Sequence, residues 1–195
     1  MATHRDTKGM FAKAIEEMMA SISLSKVHVA DLCLRCGVER RVFYYHFRDK
    51  YDLVAWIFER DYVFAADGVP PFSKELFAKT HRRLWERREF YRRAFEEDSQ
   101  NSIRRYLLQF SVQANEAVLR RHLGVTTLSS QMAFEARHFA YGNVGCVIEW
   151  LGGGIKATPE QLASQMFCCM SATLREAYAA RQRSAAMGSY PPASL

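Results

Sequence analysis

The sequence predicts an all-α protein built in two parts, and three observations lead to that expectation. Long stretches carry apolar residues at intervals of three and four, the period of an amphipathic helix. Proline, which interrupts helices, is nearly absent from the body of the chain. A glycine followed by two prolines in ADGVPPFSK (residues 66–74) breaks the pattern and marks the expected boundary between the parts.

The first two helices are predicted from apolar spacing and from a glycine stop signal. Phe11 and Ile15 lie on one face of a helix from about Thr7 to Ser21. A short second helix carries apolar residues around Leu32. Gly37 is expected to end it, because glycine adopts the left-handed conformation that closes a helix at little cost.

The third and fourth helices fall in a segment dense in rings and charges, CGVERRVFYYHFRDKYDL (residues 36–53). Phe43 and Phe47, four residues apart, are expected to face inward, so the basic and aromatic side chains between them fall on other faces. A fourth helix is expected from Asp49, with Phe64 among its inward residues. Two short helices joined by a tight turn, with a supporting helix on either side, are the layout of a helix-turn-helix.

Composition agrees with a polyanion as partner. The 195-residue chain has a formal net charge of +6, and 49% of its residues are hydrophobic, enough for a packed core. Its five cysteines form no regular framework and no apolar leader opens the chain, which predicts a cytoplasmic location. The most apolar stretch, Phe139 to Leu151, is shorter than the about 20 residues that cross a bilayer, so no membrane association is expected.

The domain boundary is predicted near residue 65, giving a helix-turn-helix domain over 1–65 and a second domain over 66–195. Within the second, the last helix has the clearest start signal, with Thr158 as N-cap, Pro159 in the first turn and Gln161 three residues after the cap. The small, Pro-rich tail from about residue 184 is predicted to be disordered. The helices expected in this domain span about 73–96, 101–123, 129–152 and 158–182.

The segment VADLCLRCGVERRVFYYHFRDKYDLV resembles the N-terminal helix-turn-helix of the TetR (tetracycline-repressor) family. A weaker resemblance covers HFAYGNVGCVIEWLGGGIKATPEQLA, which is similar to a segment of the branch of dihydroxyacetone-kinase operon regulators. The resemblance implies a homodimeric, all-helical transcriptional regulator that binds a palindromic operator in double-stranded DNA and answers to an unknown small-molecule effector, acting as a repressor. The residues that match the family signature at unchanged spacing are Gly37, Val38, Phe43, Tyr44, His46, Phe47, Lys50 and Leu53.

Carried onto this sequence, the resemblance implies DNA contacts from the second helix, the third helix and the start of the fourth. Arg40 and Arg41 stand where side chains face bases, and an arginine can pair two donors with guanine. His28 stands where the family commonly has a threonine, Glu39 replaces a frequent serine, and Val42 a threonine or serine. The expected phosphate contacts are Tyr45, His46 and Lys50, with Tyr44 divided between packing and phosphate contact and His28 a further candidate.

The second domain is expected to hold a ligand pocket, because its middle helices carry more aromatic surface than a small core requires. Ligand pockets are mostly apolar with a few placed polar groups. The same rings could equally fill the core, and that alternative stays open at this stage. The predicted pocket residues are Trp85, Tyr106, Gln109, Phe110, His138, Phe139 and Asn143.

The family resemblance implies a dimer interface on the last two predicted helices. The stretch from Phe139 to Leu151 is apolar on nearly every face, which indicates burial on all sides. Gly142 and Gly145 would let a second helix approach closely. The residues expected at the interface are Tyr141, Gly145, Ile148, Leu162 and Met166.

The remaining candidate features favour structural roles. Cys33 and Cys36 form a CxxC, but without a second such pair a zinc site is not indicated. The histidines lack the spacing of metal ligands, and the arginines of residues 81–93 alternate with glutamates, as on a solvated helix face. No catalytic motif is present, so no enzyme, metal or cofactor is expected. The competing hypothesis is a protein-interaction or thiol redox-sensing module of the same fold with altered or lost operator binding.

Overall fold

The computed structural model describes residues 6–70, 73–96 and 102–186. Over these residues the chain forms ten α-helices, one short 3-10 turn at Leu24–Lys26 and no strand, so the predicted all-α class is confirmed. The helices are α1 (Thr7–Met19), α2 (Val29–Cys36), α3 (Arg40–His46), α4 (Lys50–Ala66), α5 (Lys74–Glu86), α6 (Arg88–Phe95), α7 (Ile103–Leu123), α8 (Ser130–Leu151), α9 (Pro159–Cys168) and α10 (Ala172–Ala186).

Two segments expected as single helices are each divided in two. The segment 73–96 breaks at Arg87, whose backbone (φ −112°, ψ 26°) leaves the helical region. The segment 158–182 breaks after Cys168, and Ser171 begins the next helix by accepting a hydrogen bond from the Leu174 amide at 3.2 Å. Each of these two segments was expected to be one continuous helix, and each contains one break.

The chain divides into two compact units that interleave along the sequence. The first comprises Met1–Arg60 with Arg87–Tyr106, and the second comprises Asp61–Glu86 with Leu107–Leu195. A single boundary near residue 65 was expected. The difference lies in α6 and the start of α7, which join the N-terminal helices although the sequence places them well beyond the boundary.

The core of the first unit is aromatic and fixes α3 against α1. Phe11 and Phe43 are both fully buried, and their rings meet edge to face with centroids 5.1 Å apart. Phe47 extends the cluster, with its ring 6.4 Å from Phe11 and 5.9 Å from Trp56 of α4. Burying these rings fixes which side of α3 remains at the surface.

Arginines hold α6 against α1 in the same unit. Arg87 Nη2 lies 2.5 Å from Glu16 Oε1. Arg93 donates to the carbonyl of Met19, the last residue of α1, at 2.8 Å. The same Glu16 oxygen accepts from Arg60 of α4 at 3.3 Å. The prediction that the arginine-rich stretch is a solvated face is therefore wrong for Arg87 and Arg93, because both bind α1.

The core of the second unit joins α7, α8 and α10. Asn115 of α7 is buried and bonded at both ends of its side-chain amide: the nitrogen donates to the carbonyl of Ala136 at 3.1 Å, and the oxygen accepts from the Tyr178 hydroxyl at 2.6 Å. Buried polar groups bonded in this way favour one arrangement of the three helices. Tyr178 and Ala136 belong to a buried cluster whose other members are Val118, Leu119, Phe139, Met170, Leu174 and Ala177.

Two further predictions concern single positions and the tail. Phe64, expected to face inward, is exposed and lies under the guanidinium of Arg83, 5.1 Å from its ring centroid. The predicted start of α9 is confirmed as a capping box in which Thr158 and Gln161 bond each other's backbone amides. The end of the tail predicted to be disordered, residues 187–195, lies outside the described residues. Among the residues described, no helix is long and apolar enough to cross a membrane.

Candidate nucleic-acid interface

The turn between α2 and α3 depends on Gly37. Its φ of 66° lies in the left-handed region, and its amide bonds back to carbonyls of α2. A Cβ built at this position would meet nothing within 4 Å, so the backbone angle, and not space, favours glycine here. The turn fixes the direction in which α3 leaves α2.

Helix α3 is buried on one side and exposed on the other. Phe43 is 0% exposed, whereas Tyr44 is 57% and Tyr45 84% exposed. Arg40 and Arg41 are exposed as well. The segment therefore presents two guanidinium groups and two phenols to the surroundings from a helix that the core holds firmly.

Charge pairs surround this exposed side. Glu39, the N-cap residue of α3, makes no capping hydrogen bond, and its Oε2 lies 2.9 Å from Nε of Arg41. At the other end, Arg48 donates to Asp52 at 3.1 Å. That carboxylate raises the pKa of Arg48, which keeps its charge.

Lys50, expected to contact phosphate, is used inside the protein. Its ammonium donates to the carbonyl of Ser25 at 2.8 Å and to that of Val27 at 2.9 Å. These carbonyls belong to the segment between α1 and α2. Lys50 therefore connects the first residue of α4 to the segment that leads into α2. Because an ammonium has three donors, the two bonds occupy most of its capacity.

The other predicted contact residues lie at the ends of α2 and α3. His28 is exposed at the N-cap of α2 and makes no capping hydrogen bond with its side chain. His46, the last residue of α3, is half-buried, and its ring meets the edge of Tyr45 with centroids 4.9 Å apart. His46 therefore lies beside the exposed Tyr45 on α3, whereas His28 stands at the start of α2.

The CxxC cysteines of α2 have the character of packing residues. Cys33 is buried and Cys36 is half-buried, and both are free thiols. Burial raises the pKa of the Cys33 thiol, and burial together with the neighbouring Cys33 raises that of Cys36. A raised pKa reduces the thiolate that redox chemistry needs, so nothing in this geometry favours the redox-sensing alternative.

Comparison with known proteins agrees with this geometry. Residues 12–57 match the family of bacterial regulatory proteins, tetR family, and residues 73–171 match the transcriptional regulator C-terminal region. The chain belongs to the tetR family. The predicted family resemblance is therefore confirmed, and the chain is a DNA-binding transcriptional regulator.

Individual relatives agree with the branch that the sequence indicated. The HTH-type dhaKLM operon transcriptional activator DhaS of Lactococcus lactis is 32% identical over 56 residues, which cover 29% of this chain and 30% of that protein. The solved dihydroxyacetone kinase operon activator DhaS has a TM-score of 0.60 at 21% identity, covering 88% of this chain and 97% of that one. A tetR-family regulator from Streptomyces coelicolor has a TM-score of 0.50 at 17% identity, over 98% and 92% of the two chains. At these identities the two structures establish the fold alone.

The predicted pocket residues of this tetR-family chain do not form one lining. Gln109 and His138 are exposed, and His138 stacks on the ring of Phe134. Tyr106 belongs to the first unit, where its hydroxyl donates to Glu59 at 2.5 Å. Phe139 is buried in the core described above. The prediction that these side chains converge is wrong for the two exposed ones, because their helix faces turn outward.

An aromatic cluster that was not predicted from the sequence is centred on Trp150. The ring of Trp85 stacks on Trp150 with centroids 4.7 Å apart, and the His81 ring meets Trp150 edge to face at 6.0 Å. His81 is buried, and its Nδ1 bonds the Phe77 carbonyl at 2.5 Å. Burial lowers the pKa of His81 despite this opposing hydrogen bond, so the ring is neutral near pH 7. The spacing of His81 and Trp85, four residues apart on α5, was the available signal.

The residues expected at a dimer interface fall into two groups. Tyr141 is 56% exposed, and a Cβ at Gly145 would meet nothing within 4 Å. Ile148 is half-buried on the same helix. Leu162 and Met166 are instead 2% and 4% exposed, so the chain's own core already covers them. Their assignment to an interface is corrected for that reason.

Proposed function

We propose that this regulator binds a palindromic operator as a homodimer and represses transcription until a small ligand lowers its affinity for DNA. The proposal of DNA binding rests on the contrast between the buried and exposed sides of α3. Phe43 is fully buried while Arg40, Arg41 and Tyr45 are exposed. A firmly packed helix with cationic and phenolic side chains outward suits the major groove.

The proposed contacts divide by chemistry. Arg40 and Arg41 read base edges, because a guanidinium can give two parallel hydrogen bonds to guanine. The hydroxyls of Tyr44 and Tyr45 bind phosphate oxygens, and His28 and His46 bind phosphate at the two edges of the surface. Lys50 contributes mainly by positioning α2, since carbonyls of the protein hold its ammonium.

The proposed dimer uses the exposed face of α8. Phe134 and Tyr141 are 61% and 56% exposed, more apolar surface than a solvated helix normally presents. A Cβ built at Gly142 or at Gly145 of the same helix would meet nothing within 4 Å. A second copy related by two-fold symmetry would cover this face. To bind both half-sites of a palindrome, a dimer needs its two recognition helices about 34–36 Å apart, the spacing of successive major grooves.

The proposed effector site lies in the second unit and does not include Gln109 and His138, which are exposed. Trp85, Phe110 and Asn143 are each half-buried, which suits a site with apolar walls and one polar group. A ligand there lowers operator affinity only by the factor with which it prefers the conformation that binds DNA poorly. By linkage, operator DNA lowers ligand affinity by that same factor.

The sign of regulation is a separate part of the proposal. DhaS of Lactococcus lactis is an activator by its name. We propose repression here, and a reporter gene with the selected sequence overlapping its promoter distinguishes the two. Expression should rise when the regulator gene is deleted, whereas a fall would identify an activator.

Selection from a random-sequence duplex library, followed by titration at physiological salt, tests the DNA-binding proposal. We expect an inverted-repeat consensus bound at least about 10³-fold more tightly than a shuffled duplex. Arg40→Ala should reduce that ratio, while Tyr45→Phe should weaken both duplexes alike. Selection that yields no consensus would show that operator binding has been lost.

A further inference from the structure

In the ion pair at the start of α3, the carboxylate lies nearest to one particular nitrogen of a guanidinium. Glu39 Oε2 lies 2.9 Å from Nε of Arg41, not from its terminal nitrogens. A guanidinium carries one N–H at Nε and four at the two Nη atoms. The contact therefore leaves the end-on pair of Nη donors as the fork with which Arg41 can meet a planar acceptor.

Glu39 is free to make this contact because it does not cap its own helix. It stands at the N-cap position with an extended backbone (φ −76°, ψ 154°), yet its side chain bonds no amide of α3. A carboxylate at that position would ordinarily accept from the first turn. Its side chain, 72% exposed, lies instead beside that of Arg41, which is 82% exposed.

An exposed pair of this kind contributes little to stability. Surface ion pairs contribute little to the free energy of unfolding, because water screens both charges. Its effect must therefore be sought where DNA displaces that water. An arginine without a carboxylate partner is attracted to the phosphates of any DNA sequence. A Glu–Arg pair has no net charge, so its electrostatic attraction to phosphates is much weaker.

We propose that Glu39 is a positioning residue for base recognition by Arg41. The carboxylate holds the Nε edge, directs the two Nη atoms at the O6 and N7 of a guanine, and cancels the attraction of this guanidinium for phosphates. Glu39 thus lowers affinity for unrelated sequence more than affinity for the operator. This inference rests on the proposed operator binding and assigns a source of its specificity.

The test uses the full-length chain and two duplexes, the consensus that the wild type selects and a shuffled duplex of the same composition. Binding of the wild type, Glu39→Gln, Arg41→Ala and the double variant is titrated at several salt concentrations. Asp31→Asn, an exposed acid on α2, is the matched control because it changes net charge equally. Circular dichroism melting of each variant confirms that the compared proteins are folded.

We expect Glu39→Gln to reduce the ratio of consensus to shuffled affinity by about 3–10-fold, mainly through tighter binding to the shuffled duplex. Arg41→Ala should reduce the ratio by about tenfold or more, and the double variant should lose no more than Arg41→Ala alone. Asp31→Asn should strengthen both duplexes by one common factor. Repeating the selection with Glu39→Gln should relax the preference for guanine at one position in each half-site.

Two results would overturn the inference. One is that Glu39→Gln, like Asp31→Asn, raises the affinity for both duplexes by the same factor. Glu39 would then act only by repelling DNA in general. The other is additive loss of the ratio in the double variant, which would mean that Glu39 acts independently of Arg41. Failure of operator binding itself has a different signature, since the wild type would then select no consensus at all.

Discussion

Glu16 and Arg87 join α1 to the break between α5 and α6, with Oε1 and Nη2 2.5 Å apart. The side chain of Arg87 is 12% exposed and its guanidinium lies 5.2 Å from the ring centroid of Phe90. The pair is therefore shielded from water on the arginine side. It fastens a helix from the middle of the sequence to the helix that carries Phe11.

Replacing Arg87 should destabilise the first unit measurably. Arg87→Ala removes a charge-assisted contact from a partly buried carboxylate, and we expect the free energy of unfolding in urea to fall by about 1–3 kcal/mol. Arg92→Ala is the matched control, since Arg92 pairs with Glu89 and Glu96 at the surface and should cost under about 1 kcal/mol. Equal losses in the two variants would contradict the role assigned to Arg87.

The turn at Gly37 should tolerate asparagine better than alanine. Gly37→Ala forces a side chain into the left-handed region and should cost about 1–2 kcal/mol of stability. Gly37→Asn should cost less, because asparagine visits that region more readily. Denaturant titration of both variants checks the order, and an alanine variant as stable as the wild type would refute the argument from φ.

Lys50 should affect stability more than salt dependence. Lys50→Met keeps the apolar stem and removes two hydrogen bonds to carbonyls, so we expect a loss of about 1–3 kcal/mol in unfolding free energy. The slope of log affinity against log salt should stay near that of the wild type, because a lost phosphate contact would change it by about 0.9. A slope reduced by that amount with unchanged stability would restore the phosphate contact predicted from the sequence.

Acid should weaken the second unit through His81. Burial holds the pKa of His81 below its ordinary value of 6.5, so the unfolded chain takes up the proton first as pH falls. The free energy of unfolding should therefore decline below about pH 6.5, by at most about 1.4 kcal/mol per pH unit from this group. His81→Phe should remove that part of the decline between pH 6.5 and 5, as followed by urea titration. An unchanged pH profile in this variant would show that folding does not lower the pKa of His81.

The exposed face of α8 should control self-association. Gly145→Arg introduces a long charged side chain at a point where a second helix is proposed to approach, and a buried unpaired charge is costly. We expect light scattering at micromolar concentration to give a dimer for the wild type and a monomer for the variant. Gln113→Arg, at an exposed position on α7, serves as the charge control. A wild type that is itself monomeric would count against the proposed dimer.

The helix-turn-helix could be predicted closely because its signals are local. Gly37 ends α2 by its own conformational freedom, and the burial of Phe43 and Phe47 follows from their spacing. The capping box at Thr158 is local in the same sense. Each signal lies within a few residues of the feature it determines.

The features that were missed depend on partners distant in sequence or on the outward direction of a helix face. Neither proline nor glycine marks the break at Arg87, whose side chain binds α1. Periodicity assigned Gln109 and His138 to helix faces but could not tell that those faces turn outward. Leu162 and Met166 were correctly judged apolar, yet composition alone does not distinguish a chain's own core from a surface shared with another chain.

The attachment of α6 to α1 limits how this regulator can be recombined with its relatives. A hybrid joined near residue 65 would inherit Glu16 and the carbonyl of Met19 from one parent, but the arginines that meet them from the other. Exchange of residues 1–60 together with 87–106 would keep both contacts within one parent. Such a hybrid needs three junctions, after residues 60, 86 and 106. A hybrid with one junction near residue 65 should function only where its regulatory half carries compatible cations at the positions of Arg87 and Arg93.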